Sequence, residues 1–163
     1  MIDRRNVLLG GSALAAFAAF SWLRPMGQPI AAEGDFPFQL SDEEWKAKLE
    51  PAAYNVLRHE GTERPYSSPL NDEKRAGTFV CAGCAQPLFA SETKYDSGTG
   101  WPSFYTYIDG ALGTSVDNSL FMERVEVHCS NCGGHQGHVF EDGPEPTGLR
   151  YCINGVALQF IPA

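Results

Sequence analysis

Basic residues are scarce in this 163-residue chain: 12 Lys and Arg stand against 20 Asp and Glu, giving a formal net charge of −8 and a pI near 4.9. There is no basic stripe, which argues against a nucleic-acid partner, because phosphate binding draws its affinity from clustered Lys and Arg. Beyond residue 32 no apolar run reaches the roughly 20 residues that a spanning helix needs, so no stable membrane span is expected in the body of the chain. Low-complexity tracts are absent there as well, and nothing repeats except two Cys-x-x-Cys pairs. With 43% hydrophobic and 12% aromatic residues the chain can bury one core but is short for two, so a single domain is expected.

Met1–Ala32 reads as an export signal of the twin-arginine type. Arg4-Arg5 precede a Gly/Ala/Phe-rich apolar stretch, and a Pro-rich segment follows. An uncleaved membrane anchor is the alternative, although Val7–Leu23 is short and rich in small residues. This predicts an exported, periplasmic protein whose functional domain spans residues 33–163. Without residues 1–32 that domain keeps 9 basic and 19 acidic residues.

Ser41-Asp42-Glu43-Glu44 is a capping box, and Trp45 and Leu49 then share one helical face. A second short helix is predicted over Ala52–His59, with Gly61 as its left-handed stop. From Thr78 onward Gly, Pro, Asp and Asn recur too often for long helices. Phe79–Val80, Phe104–Ile108, Leu120–His128 and Arg150–Ile161 read as strands. The alternation from Arg124 to Cys129 predicts one buried face.

Cysteine is sparse too, and its arrangement is informative. Cys81-x-x-Cys84 and Cys129-x-x-Cys132, 44 residues apart, have the ligand number and spacing of a closed tetrahedral zinc site. Disulfides, an iron site and thioredoxin-like redox use are the other readings of these pairs. The fifth cysteine stands alone in Arg150-Tyr151-Cys152-Ile153-Asn154, where a strand would put Arg150, Cys152 and Asn154 on one face. Between them lies Gly134-His135-Gln136-Gly137-His138, a glycine-punctuated segment with two imidazoles. Four thiolates already complete a zinc shell, so His135 and His138 are either structural or part of a thiol-chemistry site with Cys152, where imidazole and guanidinium stabilise a thiolate or donate a proton.

These segments, together with Gly61-Thr62-Glu63, Pro65-Tyr66, Ser97-Gly98-Thr99-Gly100-Trp101-Pro102-Ser103-Phe104 and Asp142-Gly143-Pro144, resemble the type B, R-specific methionine sulfoxide reductases over about residues 40–161. The resemblance implies a mainly β fold, a β-tent of two antiparallel sheets with short N-terminal helices, stabilised by one structural zinc on Cys81, Cys84, Cys129 and Cys132. It implies Cys152 as the nucleophile that attacks the sulfoxide and is left as a sulfenic acid. His138, Asn154 and His135 would surround the sulfoxide oxygen, with Asp142 and Arg150 as outer support. Trp101 and Phe104 would bind the substrate, the indole face meeting its methyl group. Oxidised proteins would be the substrates, and a thioredoxin-like or other thiol the reductant.

Two positions depart from the family pattern. Thr99 stands where many members carry a resolving cysteine, which puts the internal disulfide step in doubt, and Gly155 stands where serine is frequent. Two rivals predict different behaviour: a non-enzymatic zinc-ribbon-like binding module would have no need of Cys152, and another thiol- or glutathione-dependent enzyme would leave methionine sulfoxide untouched.

Overall fold

The computed structural model describes residues 34–118 and 123–163, so the predicted export segment lies outside the described residues. The first helix, α1 (Asp42–Lys48), starts at the predicted capping box, in which Ser41 Oγ accepts from the Glu44 N–H and the Glu44 carboxylate accepts from the Ser41 N–H. Trp45 and Leu49 are both buried. Pro51 begins α2 (Pro51–His59) rather than ending α1, as suits a residue with no N–H to lose at the first turn. The left-handed residue that closes α2 is Glu60, not Gly61. Gly61 is needed for proximity instead: its N–H donates to Asn55 O at 3.1 Å, and a Cβ there would run into the Asn55 side chain.

The rest is β structure. The strands are β1 (Gly77–Cys81), β2 (Pro87–Ala90), β3 (Lys94–Tyr95), β4 (Ser103–Phe104), β5 (Leu112–Asp117), β6 (Arg124–Cys129), β7 (His135–Phe140), β8 (Arg150–Ile153) and β9 (Leu158–Pro162). They form two antiparallel sheets, one ordered β2-β1-β9 and the other β3-β4-β8-β7-β6-β5. Three expectations change in detail. The strand predicted over 104–108 is the two-residue β4. Part of the strand predicted from Leu120 lies outside the described residues, and β6 begins at Arg124. The continuous strand predicted over 150–161 breaks at a 3-10 turn, Gly155–Ala157, which carries the chain from the six-stranded sheet to the three-stranded one. Glycine suits that crossing because a Cβ at 155 would overlap the Ser68 side chain.

Phe79, Phe89 and Phe104 are 0% exposed and form the centre of the core, with the Phe89 and Phe104 rings stacked at 4.1 Å and Phe79 edge-on to Phe104 at 5.0 Å. Phe104 is therefore a core residue beneath the β4 backbone, which corrects its expected place on the substrate surface. In β6 the alternation also misleads. Val127 and Cys129 are fully buried as expected, yet Glu126 and His128 on the opposite face are buried too, while Val125 is 41% exposed. The polar face is covered because its side chains bond one another.

Candidate active site and metal centre

Cys81 ends β1 and Cys129 ends β6; each is followed by a tight turn that returns a second thiol, Cys84 or Cys132. The Sγ atoms of Cys81 and Cys132 are 3.7 Å apart, those of Cys84 and Cys129 3.6 Å, and all four lie within 4.8 Å of one another. A tetrahedral ion with metal–sulfur bonds of about 2.3 Å places its sulfurs about 3.8 Å apart. The cluster can therefore hold a metal ion. Hydrogen bonding with Cys129 is the main influence that draws the Cys84 thiol far below its ordinary value and holds Cys81 well above. Four thiolates this close need a cation to coexist. Gln136 reaches the cluster from β7, its Nε2 donating to Cys81 Sγ at 3.5 Å.

The fifth thiol lies elsewhere in the six-stranded sheet. Cys152 sits in β8 between two neighbours, opposite Ser103 of β4 and His138 of β7. Its side chain borders a cavity of about 130 Å³ lined by Thr62, Trp101, His138, Phe140 and Asn154. Gly137 lets β7 approach closely, since a Cβ there would strike the Cys152 carbonyl. Burial pushes the Cys152 thiol up, and the Thr99 hydroxyl 3.9 Å away and the Arg150 guanidinium oppose that rise. Arg150 is itself fixed by paired bonds to the Asp142 carboxylate at 2.7 and 2.9 Å and by the Phe140 ring beneath its guanidinium.

His138 Nε2 donates to Asp117 Oδ2 at 2.8 Å, and the same oxygen accepts from Arg124 at 2.6 Å. Burial lowers the His138 pKa more than Asp117 raises it, so the imidazole is neutral at pH 7. His135 does not line the cavity. It is 1% exposed, stands edge-on to the His138 ring, and donates from Nδ1 to Glu126 Oε1 at 2.8 Å. Glu126 also accepts from His128 Nδ1 and Ser115 Oγ; burial alone would raise its pKa, but these three bonds hold it down at about 2. Asn154 lines the cavity with its amide already engaged, accepting from the Glu63 N–H and donating to Gln136 O.

The structure thus brings Cys152, His138, Asn154 and Trp101 to one cavity, sets Arg150 and Asp142 behind them, and places His135 one layer further back. Sequence reasoning assigned no role to Glu63, Asp117 or Glu126. Glu63 holds the site together: its carbonyl accepts from Trp101 Nε1 at 3.1 Å, and its carboxylate accepts from the N–H groups of Gly155 and Val156. The Gly61-Thr62-Glu63 segment was the available signal for it. Asp117 and Glu126 look like solvent-facing strand residues in the sequence, and nothing there marks them as imidazole partners. A larger cavity of about 390 Å³ shares Trp101 but contains neither thiol nor imidazole.

A lone thiol in an open cavity, faced by a neutral imidazole and kept apart from a closed four-cysteine cluster, defines a cysteine-dependent enzyme on a metal-knuckle β fold. Its family follows from comparison. The SelR domain matches residues 49–162. The peptide methionine sulfoxide reductases MsrB of Methanosarcina mazei, Pseudomonas putida and Leptospira interrogans are 59%, 58% and 54% identical over 121 residues. Those alignments cover 74% of this chain and 86%, 91% and 92% of the three relatives. The chain belongs to the SelR-domain, or type B, family of peptide methionine sulfoxide reductases.

Because folding depresses the Glu126 pKa, the carboxylate stabilises the fold fully above its unfolded value near pH 4.5, and the contribution is lost as pH falls toward 2. Wild type should exceed Glu126→Gln in unfolding free energy by a margin on the order of 3 kcal/mol that is flat above about pH 5 and shrinks below it. Denaturant titrations of both proteins across that range measure the margin. A margin independent of pH would show that Glu126 does not ionise in place.

Proposed function

We propose that this protein reduces the R epimer of methionine sulfoxide, chiefly in proteins, through a sulfenic acid on Cys152 that an external thiol returns to the free cysteine. The observation that carries this reading is the cross-strand pair Cys152 and His138 at a cavity walled by Trp101. Sulfur attacks the sulfoxide, the S–O bond of the substrate breaks, and methionine leaves while oxygen stays on Cys152 as S–OH. The sulfoxide oxygen must be protonated as this happens, and His138, which lines the same cavity as Cys152, would relay the proton to it. A thiol RSH then displaces water from the sulfenic acid to give a mixed disulfide, and a second thiol releases Cys152 and an RS–SR product. A thioredoxin-like protein would supply those thiols.

The remaining cysteines support direct reduction by that external thiol. Cys81, Cys84, Cys129 and Cys132 are committed to the cluster, and Thr99 occupies the loop position beside Cys152. Epimer-resolved turnover with dithiothreitol tests the reaction. Cys152→Ser should abolish loss of the R sulfoxide, and His138→Ala should slow it by about 10²–10⁴-fold. Wild-type turnover by Cys152→Ser would overturn the mechanism, and consumption of the S epimer alone would overturn the substrate assignment.

The metal assigned to the four-cysteine cluster is zinc, for which all-thiolate tetrahedral coordination is a standard closed shell. It would supply folding free energy and take no part in the reaction. Purified protein should contain about one zinc per chain, and Cys81→Ser should unfold or strongly destabilise it, as read by elemental analysis and thermal melts. Folded, active protein without zinc would refute the assignment.

Export to the periplasm is proposed from Arg4-Arg5 and the apolar run that follows. Among the described residues no helix is long and apolar enough to cross a membrane. Changing both arginines to lysine should retain the protein in the cytoplasm on cell fractionation. Unchanged export would exclude the twin-arginine route, and a product inseparable from membranes would favour an anchor.

A further inference from the structure

The loop between β3 and β4, with the first residue of β4, places three hydroxyls in a line that begins at the nucleophile. Thr99 Oγ1 lies 3.9 Å from Cys152 Sγ, a long contact within the range of a sulfur hydrogen bond. Ser97 Oγ is 2.9 Å from Thr99 Oγ1 and 2.8 Å from Ser103 Oγ, and Ser103 donates to Trp101 O at 3.1 Å. Ser103 is 0% exposed and pairs directly with Cys152 across the β4–β8 ladder, so the far end of the line is fixed by the sheet.

A hydroxyl is donor and acceptor at once, and each turns by rotation about one C–O bond. With Cys152 as a thiol, S–H donates to Thr99, Thr99 to Ser97, Ser97 to Ser103, and Ser103 to the Trp101 carbonyl. Every proton then has an acceptor. With Cys152 as a thiolate, Thr99 turns to donate to sulfur, Ser97 to Thr99 and Ser103 to Ser97, which releases only the Trp101 carbonyl, an acceptor. No buried donor is orphaned in either state.

We propose that Thr99, Ser97 and Ser103 form a reversible hydroxyl chain that accepts from the Cys152 thiol and donates to its thiolate, with Thr99 as the group touching sulfur and the two serines as positioning residues. This rests on Cys152 being the nucleophile and adds a role for the residue in the resolving-cysteine position. The charged and titratable groups around Cys152 are Arg150 on β8, Asp142 after β7 and Tyr95 on β3, with His138 on β7 and Arg124 on β6 lining the same cavity. The Thr99 hydroxyl and, among these groups, Arg150 counter the effect of burial on the thiol.

The test is the pH dependence of iodoacetamide alkylation at Cys152, followed by mass spectrometry of its own peptide in the full chain. The readout needs no turnover, so failure of the chain and failure of the reductase reading are distinguishable. Thr99→Val keeps the side-chain shape and removes the hydroxyl; it should raise the alkylation midpoint by about one pH unit, the scale of a hydrogen bond to a charged group. Thr99→Ser should stay near wild type, and Ser97→Ala should give a smaller rise than Thr99→Val. The inference is overturned if Thr99→Val titrates as wild type, or if Thr99→Ser moves as far as Thr99→Val. Should Thr99→Val fail to fold, Ser97→Ala decides alone, and an unchanged midpoint there excludes a chain.

Discussion

The position of the nucleophile depends on β8 being an interior strand. Because β4 and β7 flank it, Ser103 and His138 are set opposite Cys152 by backbone pairing. Ladder hydrogen bonds fix Cα positions far more tightly than loop contacts do. A one-residue slip would turn Cys152 to the other face of the sheet, where Tyr151 and Ile153 are buried. Their burial therefore holds the register of the thiol. The same ladder explains the glycine at 137, since only a residue without Cβ lets β7 lie this close to the Cys152 carbonyl.

The four-cysteine cluster acts at a different level of organisation. Cys81 belongs to the three-stranded sheet through β1 and Cys129 to the six-stranded sheet through β6, so an ion shared between them would tie the two sheets together. Gln136 connects that tie to the cavity: its side chain donates to Cys81 Sγ, while its backbone carbonyl accepts from both the N–H and the side-chain amide of Asn154. On the opposite flank, Glu63 binds the turn at Gly155 and Val156 with its carboxylate and the Trp101 indole with its carbonyl. Two residues, Gln136 and Glu63, thus clamp through polar contacts a site whose reacting groups come from short strands.

Much of this was legible from spacing alone. The capping box and the paired knuckles are local patterns, found where their local geometry requires; of the face expected to carry Arg150, Cys152 and Asn154, the first two lie in β8 while Asn154 caps the 3-10 turn that follows. The failures share another cause. Phe104 was placed on the substrate surface through its neighbours in the motif, yet adjacent strand residues point to opposite faces, and its side went to the core. Glu126 and His128 follow a polar–apolar alternation that normally faces water; they are buried because His135, from β7, completes a carboxylate–imidazole cluster that no single segment reveals. Asp117 escaped notice for the same reason, since its partners His138 and Arg124 come from two other strands. The break at Gly155 depends on Ser68 and Glu63, about ninety residues earlier in the chain.

The electrostatics of the cavity constrain how the proposed reaction can begin. Burial raises the Cys152 thiol and lowers the His138 imidazolium, so both groups rest in their neutral forms and the pair holds its one mobile proton on sulfur. Attack on a sulfoxide needs the opposite distribution, with negative charge on the nucleophile and a proton on the departing oxygen. Moving that single proton from thiol to oxygen satisfies both demands without net charge entering a half-buried cavity. In the proposed reaction His138 would relay it, since Asp117 engages Nε2 and leaves Nδ1 as the nitrogen to take up a proton. Arg150 contributes a steady positive charge that favours the transient thiolate, and its paired bonds to Asp142 keep it in place. Desolvation therefore disfavours ionisation of the resting thiol, and in the proposed reaction these fixed groups would lower the cost of ionisation once a sulfoxide is present to receive the proton.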